Sequence, residues 1–395
     1  MIKNRLKYGL CFVLVLCPVL YILQWQIANI TRVNDVSVPR KLRKAADSAS
    51  LTSNHNLLLN SIPKTYTSGY IVYKCTNTKQ SACGGWSDRL SGILSTFVIS
   101  LLTKQRFLIH HDQPYLLQDY LAPNEYDWRY NSSILTKLKR TNHNLDNANS
   151  VKIKKYLYGK KDLNNYFKRN KIHFIRMNWD FTEVFRTRSH IGRDVPWITK
   201  LHYADIYKEL FNYLFKPSET LSRALKAQKR PRSKTACAHI RIGRNPTVPN
   251  DPPRHQQPMD ILWNFFDRLD KDLYNIFVAT DDDRILKTAR DRYPEDIIDT
   301  YGKIGHIAKL PEEQKGNKDI FVKMFLDFSM LINCDILILT ESGFGMVAAY
   351  IRNTDADLYC WRGPELRPGS RYTVHHMFKW PLLAPSNAFP IGSRV

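Results

Sequence analysis

A mixed α/β fold made of two Rossmann-type halves, preceded by one apolar N-terminal segment, is the architecture this sequence predicts. Three observations lead there. From Ala236 to Ile351, strand-like apolar runs alternate with amphipathic stretches, as a parallel doubly wound sheet requires. A second strand-to-helix unit begins at Gly69, where Tyr70 to Tyr73 is followed by CGGWSDR and then by Leu90, Ile93, Leu94, Phe97 and Leu101 on one helical face. Finally, 395 residues with 12% aromatics and no low-complexity tract suffice for two domains with cores of ordinary size.

The elements follow in order. Lys3, Arg5 and Lys7 form a basic tail (1–7) ahead of Tyr8 to Ile27, an apolar run long enough to span a bilayer as a signal anchor (8–27). A cleaved signal peptide competes, since Pro18 is unusual in a span and Ala28 is small, but the run exceeds a usual signal-peptide core. Residues 28–67 are polar and aperiodic and read as a stem. Asn29-Ile-Thr and Asn131-Ser-Ser are the glycosylation sequons; the first lies against the bilayer, so Asn131 is the expected site. The N-terminal domain (68–222) holds strands at Tyr70 to Tyr73, Arg106 to His110 and Ile172 to Met177, and a helix at Tyr203 to Phe215. Lys137 to Lys171, rich in Lys and Asn, reads as a solvated insertion, with an anionic-glycan patch as the alternative. The basic run Arg223 to Lys234, containing Pro231, marks a linker (223–235). The C-terminal domain (236–352) carries strands at Ala236 to Ile242, Ile276 to Ala279, Ile297 to Thr300 and Ile336 to Thr340, and residues 353–395 form an extension.

A formal net charge of +23 points to nucleic acid, a membrane surface or acidic glycans. No nucleic-acid-binding motif accompanies it, so nucleic acid is not an expected partner. Of the seven cysteines, Cys11 and Cys17 lie in the apolar segment, and the remaining five have no metal-type spacing. In an oxidising lumen Cys75 and Cys83 would close a short loop, although spacing alone does not fix the pairing.

The chemistry concentrates at strand ends. In ACAHIRIGR, His239 and Arg241 share one face of a strand that breaks at Gly243. The planar guanidinium fork suits phosphate and the imidazole can donate to a base or sugar oxygen; the alternative is a merely basic strand end. Gly84 and Gly85, ahead of a helix capped by Ser87 or Asp88, form either an anion-binding nest or an ordinary turn, with Arg89 beside them. Asp281, Asp282 and Asp283 follow another strand, where one is expected to cap a helix. Asp281-x-Asp283 also has the spacing of a carboxylate pair that holds a divalent ion on a diphosphate, a role that Arg241 makes redundant. Asp327 stands at the edge of the apolar stripe of Lys318 to Ile332, where a carboxylate is costly unless paired. It would either accept both N–H donors of guanine or form a salt bridge. Ser342, Gly343 and Gly345 open a further helix with a hydroxyl and backbone amides that suit a phosphate.

The blocks ATDDDRILKTARDRYP and FLDFSMLINCDILILTESGFGMVAAY, preceded by HIRIG and CGGWSDR, resemble the animal α1,6-fucosyltransferases of the N-glycan core. They are also similar to the nodulation fucosyltransferases and, more loosely, to the protein O-fucosyltransferases, over about Tyr70 to Ile351. The resemblance implies a GT-B-like fold, GDP-fucose in the C-terminal Rossmann domain, inversion at the anomeric carbon, and no metal or other cofactor. It implies that Arg241 holds the β-phosphate, His239 and Asp327 the nucleoside, and Ser342 the phosphates. Arg244, Asp281, Asp282, Gly343, Gly84, Gly85 and Arg89 are the further candidates for substrate binding. Asp251, in the Pro-rich loop Asn245 to His255, falls close to the family's acid and is the candidate base. The chain departs from the core enzymes after H-x-R, where Ile242, Gly243 and Arg244 replace a second arginine and an acid, and their coiled-coil and SH3 parts have no visible counterpart in it. The expectation is a type II Golgi membrane enzyme that fucosylates a glycan or glycoprotein. Its alternatives are the same fold with another nucleotide sugar and an inactive, membrane-anchored glycan-binding protein.

Overall fold

The computed structural model describes residues 54–378, apart from 61, 77–82, 136–137, 147–155, 157–160, 187–194, 229 and 353. The anchor at 8–27, the first sequon, most of the stem and the last residues of the chain lie outside that range. Among the described residues no helix is long and apolar enough to cross a membrane.

The first half is a four-stranded parallel sheet of β1 (Tyr70–Cys75), β2 (Arg106–His111), β3 (Lys139–Asn144) and β4 (Lys171–Arg176), in the order β2-β1-β4-β3. Ile71, Val72 and Tyr73 of β1 are fully buried, as a central parallel strand covered on both faces demands. Against it packs α1 (Trp86–Thr103), whose Leu90, Ile93, Leu94, Phe97 and Val98 are all inaccessible. The stretch expected as a solvated insertion is corrected at β3. KRTNHN alternates between half-buried and exposed positions and occupies the sheet edge, where only one flank must be matched by backbone bonds. Helix α2 (Tyr203–Leu214) closes this half, and a short helix, Glu219–Lys226, occupies the start of the expected linker.

The second half is a six-stranded sheet. Its strands are β5 (Lys234–Ile240), β6 (Tyr274–Thr280), β7 (Ile297–Ile298), β8 (Ile336–Leu339), β9 (Leu358–Arg362) and β10 (Glu365–Gly369). Helices α3 (Met259–Asp267), α4 (Asp283–Arg292), α5 (Lys318–Ile332) and α6 (Gly343–Ile351) alternate with them. The order is β10-β9-β8-β5-β6-β7, parallel except at β9–β10. Counted from β5, this is the doubly wound order in which the winding reverses between the first and fourth strands, here β5 and β8. Ligands of such sheets bind outside the carboxyl ends at that reversal, so the topology singles out the residues after Ile240 and Leu339. The sheet also runs past residue 352, since β9 and β10 come from the segment expected as an extension.

Cys75 is bonded to Cys83, as expected for an oxidising environment, and Cys237 of β5 is bonded to Cys334 just past α5. The second pair is 97 residues apart in sequence, so no local spacing announced it. Cys360 is free and buried. The main apolar core runs through both halves: Trp86, at the start of α1, meets Phe325 and Phe328 of α5 edge-on, with ring centroids 4.8 and 5.9 Å apart.

Candidate active site

Arg241 is the first residue beyond β5, and its amide donates to Thr340 Oγ1 at 2.8 Å, which ties the ends of β5 and β8 together. Asp281, just past β6, shapes the turn that follows. Its Oδ1 accepts from the Ile242 amide and its Oδ2 from the Gly243 amide, both at 2.8 Å, while Arg241 Nη1 stands 3.1 Å from Oδ2. Gly243 has φ +80° and faces the Pro252 carbonyl so closely that no side chain fits there. Arg241 Nη2 is paired with Asp251, which is 1% exposed and also accepts from Lys309 Nζ at 2.6 Å, with His306 Nε2 4.0 Å away. The guanidinium is thereby fixed by two carboxylates on separate loops.

This geometry corrects the role expected for Asp251. Burial acts to raise its pKa, but the Lys309 hydrogen bond and the charges of Arg241 and His306 outweigh it and hold the carboxyl below its ordinary range. A carboxylate so stabilised is a poor proton acceptor. It lies behind Arg241, off the wall of the cleft, and acts as the counter-ion that aims the guanidinium.

The cleft, about 240 Å³, is bounded on one side by the Gly85–Asp88 turn that opens α1, and on the other by His239, Arg241, Asp327 and Ser342–Phe344. His239 is 6% exposed, and its Nδ1 is buried with no hydrogen-bond partner. Burial and the neighbouring Arg241 charge push its pKa down to about 3, so the imidazole is neutral and keeps an unmet polar atom beside the cavity. Gly345 allows it to sit there, because a Cβ at that position would stand 2.9 Å from Nδ1. Ser342 occupies the N-cap position of α6 without using its hydroxyl as a cap, which leaves the leading amides of the helix for a ligand anion.

Asp327 is where both sequence readings meet. Its Oδ1 accepts from Thr300 Oγ1 at 2.5 Å and from Lys323 Nζ at 3.2 Å, the expected salt bridge. Burial raises its pKa against the opposing pull of Lys323. Oδ2 has no hydrogen bond among the described residues, so one oxygen, rather than two, is presented to a ligand donor.

Four candidates fall away from the cleft. Asp282 caps α4, accepting from the Arg284 amide at 2.9 Å. Arg244 is exposed and lies off the cleft wall. Arg89 is completely buried behind the α1 turn, where Nε donates to the Gly84 carbonyl at 3.0 Å and Nη1 to the Gln113 carbonyl at 2.7 Å. Gly84 likewise supports the turn. Gly85 does line the cleft, but its amide donates to Asp88 Oδ2 at 2.7 Å and is not available to an anion, which corrects the anion-nest reading. The Asp281-x-Asp283 pair is split, because Asp283 accepts instead from Thr247 Oγ1 at 3.2 Å. Among the described residues no His, Cys, Asp and Glu cluster has the arrangement of a metal site. Asn131 is exposed, its Oδ1 accepting from the Ser133 amide and hydroxyl at 3.0 and 2.7 Å.

Three wall residues had no sequence signal of their own. Asp88 was read only as a cap; it faces the cleft, with a pKa raised chiefly by burial. Lys323 was legible as Asp327's partner only through their four-residue spacing on α5. Arg254, in the loop carrying Asp251, has no carboxylate partner among the described residues and borders both this cleft and a second cavity.

The class these features define is a doubly wound α/β protein with a cleft between its two sheets, and a solved structure shares its fold. No family model and no curated protein sequence matches the chain. A mutant of FUT1 from Arabidopsis thaliana, solved in complex with GDP, is similar with a TM-score of 0.52 at 13% identity, over 81% of this chain and 79% of that one. Fucosyltransferase NodZ from Bradyrhizobium matches with a TM-score of 0.40 at 11% identity, over 72% of this chain and 93% of that one. The likeness to FUT1 establishes a fucosyltransferase-like fold.

Proposed function

We propose that the chain is an inverting glycosyltransferase that moves fucose from GDP-fucose to a glycan or glycoprotein acceptor, anchored in the Golgi membrane with its catalytic part luminal. The observation that carries this reading is Arg241, clamped by Asp251 and Asp281 at the reversal of the second sheet and lining one cleft with Ser342 and the start of α6. The GDP complex of the FUT1 neighbour supports a guanine nucleotide as the ligand.

In the proposed transfer, the acceptor oxygen forms a bond to the anomeric carbon as the bond from that carbon to the β-phosphate oxygen breaks. The electron pair leaves with GDP, and the acceptor proton passes to a base. Arg241 and the α6 amides meet the charge that grows on the departing phosphate. With that charge supplied by a side chain, transfer needs no divalent ion. Asp88 takes the proton, since it faces the cleft from the opposite wall with a pKa raised by burial, nearer the range of an effective base than Asp251.

Thermal unfolding of the luminal part with GDP, UDP and CMP tests the donor assignment. A nucleotide at one hundred times its Kd stabilises by about 2.7 kcal/mol. Selective stabilisation by GDP is expected; selectivity for UDP or CMP would move the reading to another sugar donor, and no response to any of them would defeat it. The topology is tested by Asn131→Gln with deglycosylase treatment, where a mobility shift in wild type alone is expected and none in either would sink the luminal assignment or the site.

A further inference from the structure

Beside the cleft lies a larger cavity of about 750 Å³, within the range of small-ligand sites. We propose that it is a subsite for an acidic saccharide, seating an acceptor unit with a carboxylate or sulfate away from the reacting hydroxyl. This rests on the transferase reading. Arg241 and Arg254 line both cavities, so a chain seated in the second adjoins the transfer site.

Two buried polar atoms of its lining residues lack partners. Trp361, at the end of β9, is 0% exposed and its indole Nε1–H meets no acceptor; Gln257 Oε1 is buried and meets no donor. Such atoms are costly when unmet. An orphan donor and an orphan acceptor on residues that line one cavity complement hydroxyls, which donate and accept at once.

The charges specify the class of sugar. Arg367 is paired with Glu365 at 2.9 Å, and Arg241 with its two aspartates. Arg254 and Arg362 have no carboxylate partner among the described residues; the Arg362 guanidinium meets only the Met377 carbonyl, at 3.4 Å. Glu341 is the single acid on the described lining. Two unneutralised guanidiniums lining one cavity suit a sugar bearing a planar or tetrahedral anion.

The test uses calorimetric titration of the full chain with three tetrasaccharides: alternating glucuronate and N-acetylglucosamine, its sulfated form, and neutral N-acetylglucosamine. Binding of at least one acidic probe at least tenfold tighter than the neutral one is expected, and the better of the two identifies the anion. Arg362→Gln removes that preference, about ten- to a hundredfold, while GDP affinity stays unchanged. Trp361→Phe, which keeps a ring but deletes the N–H, weakens all three probes severalfold. Lys216→Gln, an exposed change elsewhere on the surface, leaves the preference intact and controls for the overall +23 charge.

Equal binding of neutral and acidic probes, or a preference that survives in folded Arg362→Gln, overturns the proposal. Should Arg362→Gln fail to unfold cooperatively, folded Trp361→Phe decides, and unchanged probe affinity there overturns it too. GDP binding without acidic preference defeats this proposal alone. Acidic preference without binding of GDP, UDP or CMP defeats the transferase reading while the saccharide site stands.

Discussion

Replacing Arg241 by lysine keeps the charge and removes the fork, so it separates electrostatics from geometry. In the native site Nη1 is matched to Asp281 and Nη2 to Asp251, a division of labour that one ammonium cannot reproduce. The fold is expected to survive, because Asp251 retains Lys309 and Asp281 retains two backbone amides. The stability loss should be about 1–2 kcal/mol, the scale of a hydrogen bond whose partners are otherwise satisfied. Catalysis should suffer more. Removing one donor aimed at developing charge costs roughly 3–4 kcal/mol, so kcat is expected to fall on the order of a hundred- to a thousandfold. Affinity for GDP should change less, since the arginine's contribution grows towards the transition state. The assay measures initial rates with GDP-fucose and a mixed glycan acceptor pool, alongside titration with GDP and an unfolding curve, with a parallel wild-type arm in EDTA. Near wild-type turnover in folded Arg241→Lys, or complete loss of wild-type activity under chelation, would show that the leaving-group charge is met elsewhere.

Three further outcomes are expected. Asp88→Asn should abolish most turnover; because the raised carboxyl must be ionised to act, wild-type kcat should fall as pH drops through a value above the ordinary carboxylate range, and any residual rate of the mutant should lack that limb. Gly345→Ala gains about 1 kcal/mol of helix propensity but sets a methyl 2.9 Å from both His239 Nδ1 and Leu339 Cδ2, a crowding cost of about 1–3 kcal/mol. A lower unfolding midpoint and weaker GDP binding are expected, and an unchanged GDP titration would show that the imidazole is not part of the site. The third concerns His239, whose folded pKa of about 3 lies below the unfolded 6.5. Below pH 6.5 the unfolded chain therefore binds the extra proton, so stability falls as pH drops from there towards 3. Urea unfolding at pH 7.5 and 4.5 should show a smaller acid loss in His239→Gln than in wild type, and equal losses would contradict the buried neutral state.

What could be read from the sequence was periodic or terminal. The alternation after Ala236 and the strand ends at His239, Asp281 and Ser342 were legible because apolar runs and glycine breaks report backbone state locally. The edge strand Lys139–Asn144 was not, since a polar edge strand buries too little to show an apolar pattern. The pairing of Cys237 with Cys334 depends on tertiary approach, and so does the way Lys309 and Arg241 converge on Asp251 and turn a presumed base into a counter-ion. Arg89 misled for the same reason. Its position next to the glycine turn suggested a ligand cation, whereas the fold buries it among carbonyls that need its donors.

The Cys237–Cys334 bond has a mechanical consequence. Cys237 lies two residues before His239 on β5, and Cys334 follows the helix that bears Asp327, so the bond welds two elements of the cleft wall together. These two parts of the wall cannot part company without breaking a covalent link. Any widening of the cleft is left to the opposite side, the turn at Gly85–Asp88. That side is held by Trp86 edge-on against Phe325 and Phe328, contacts of about 0.5–1.5 kcal/mol each, so one indole resists separation of the two cleft walls.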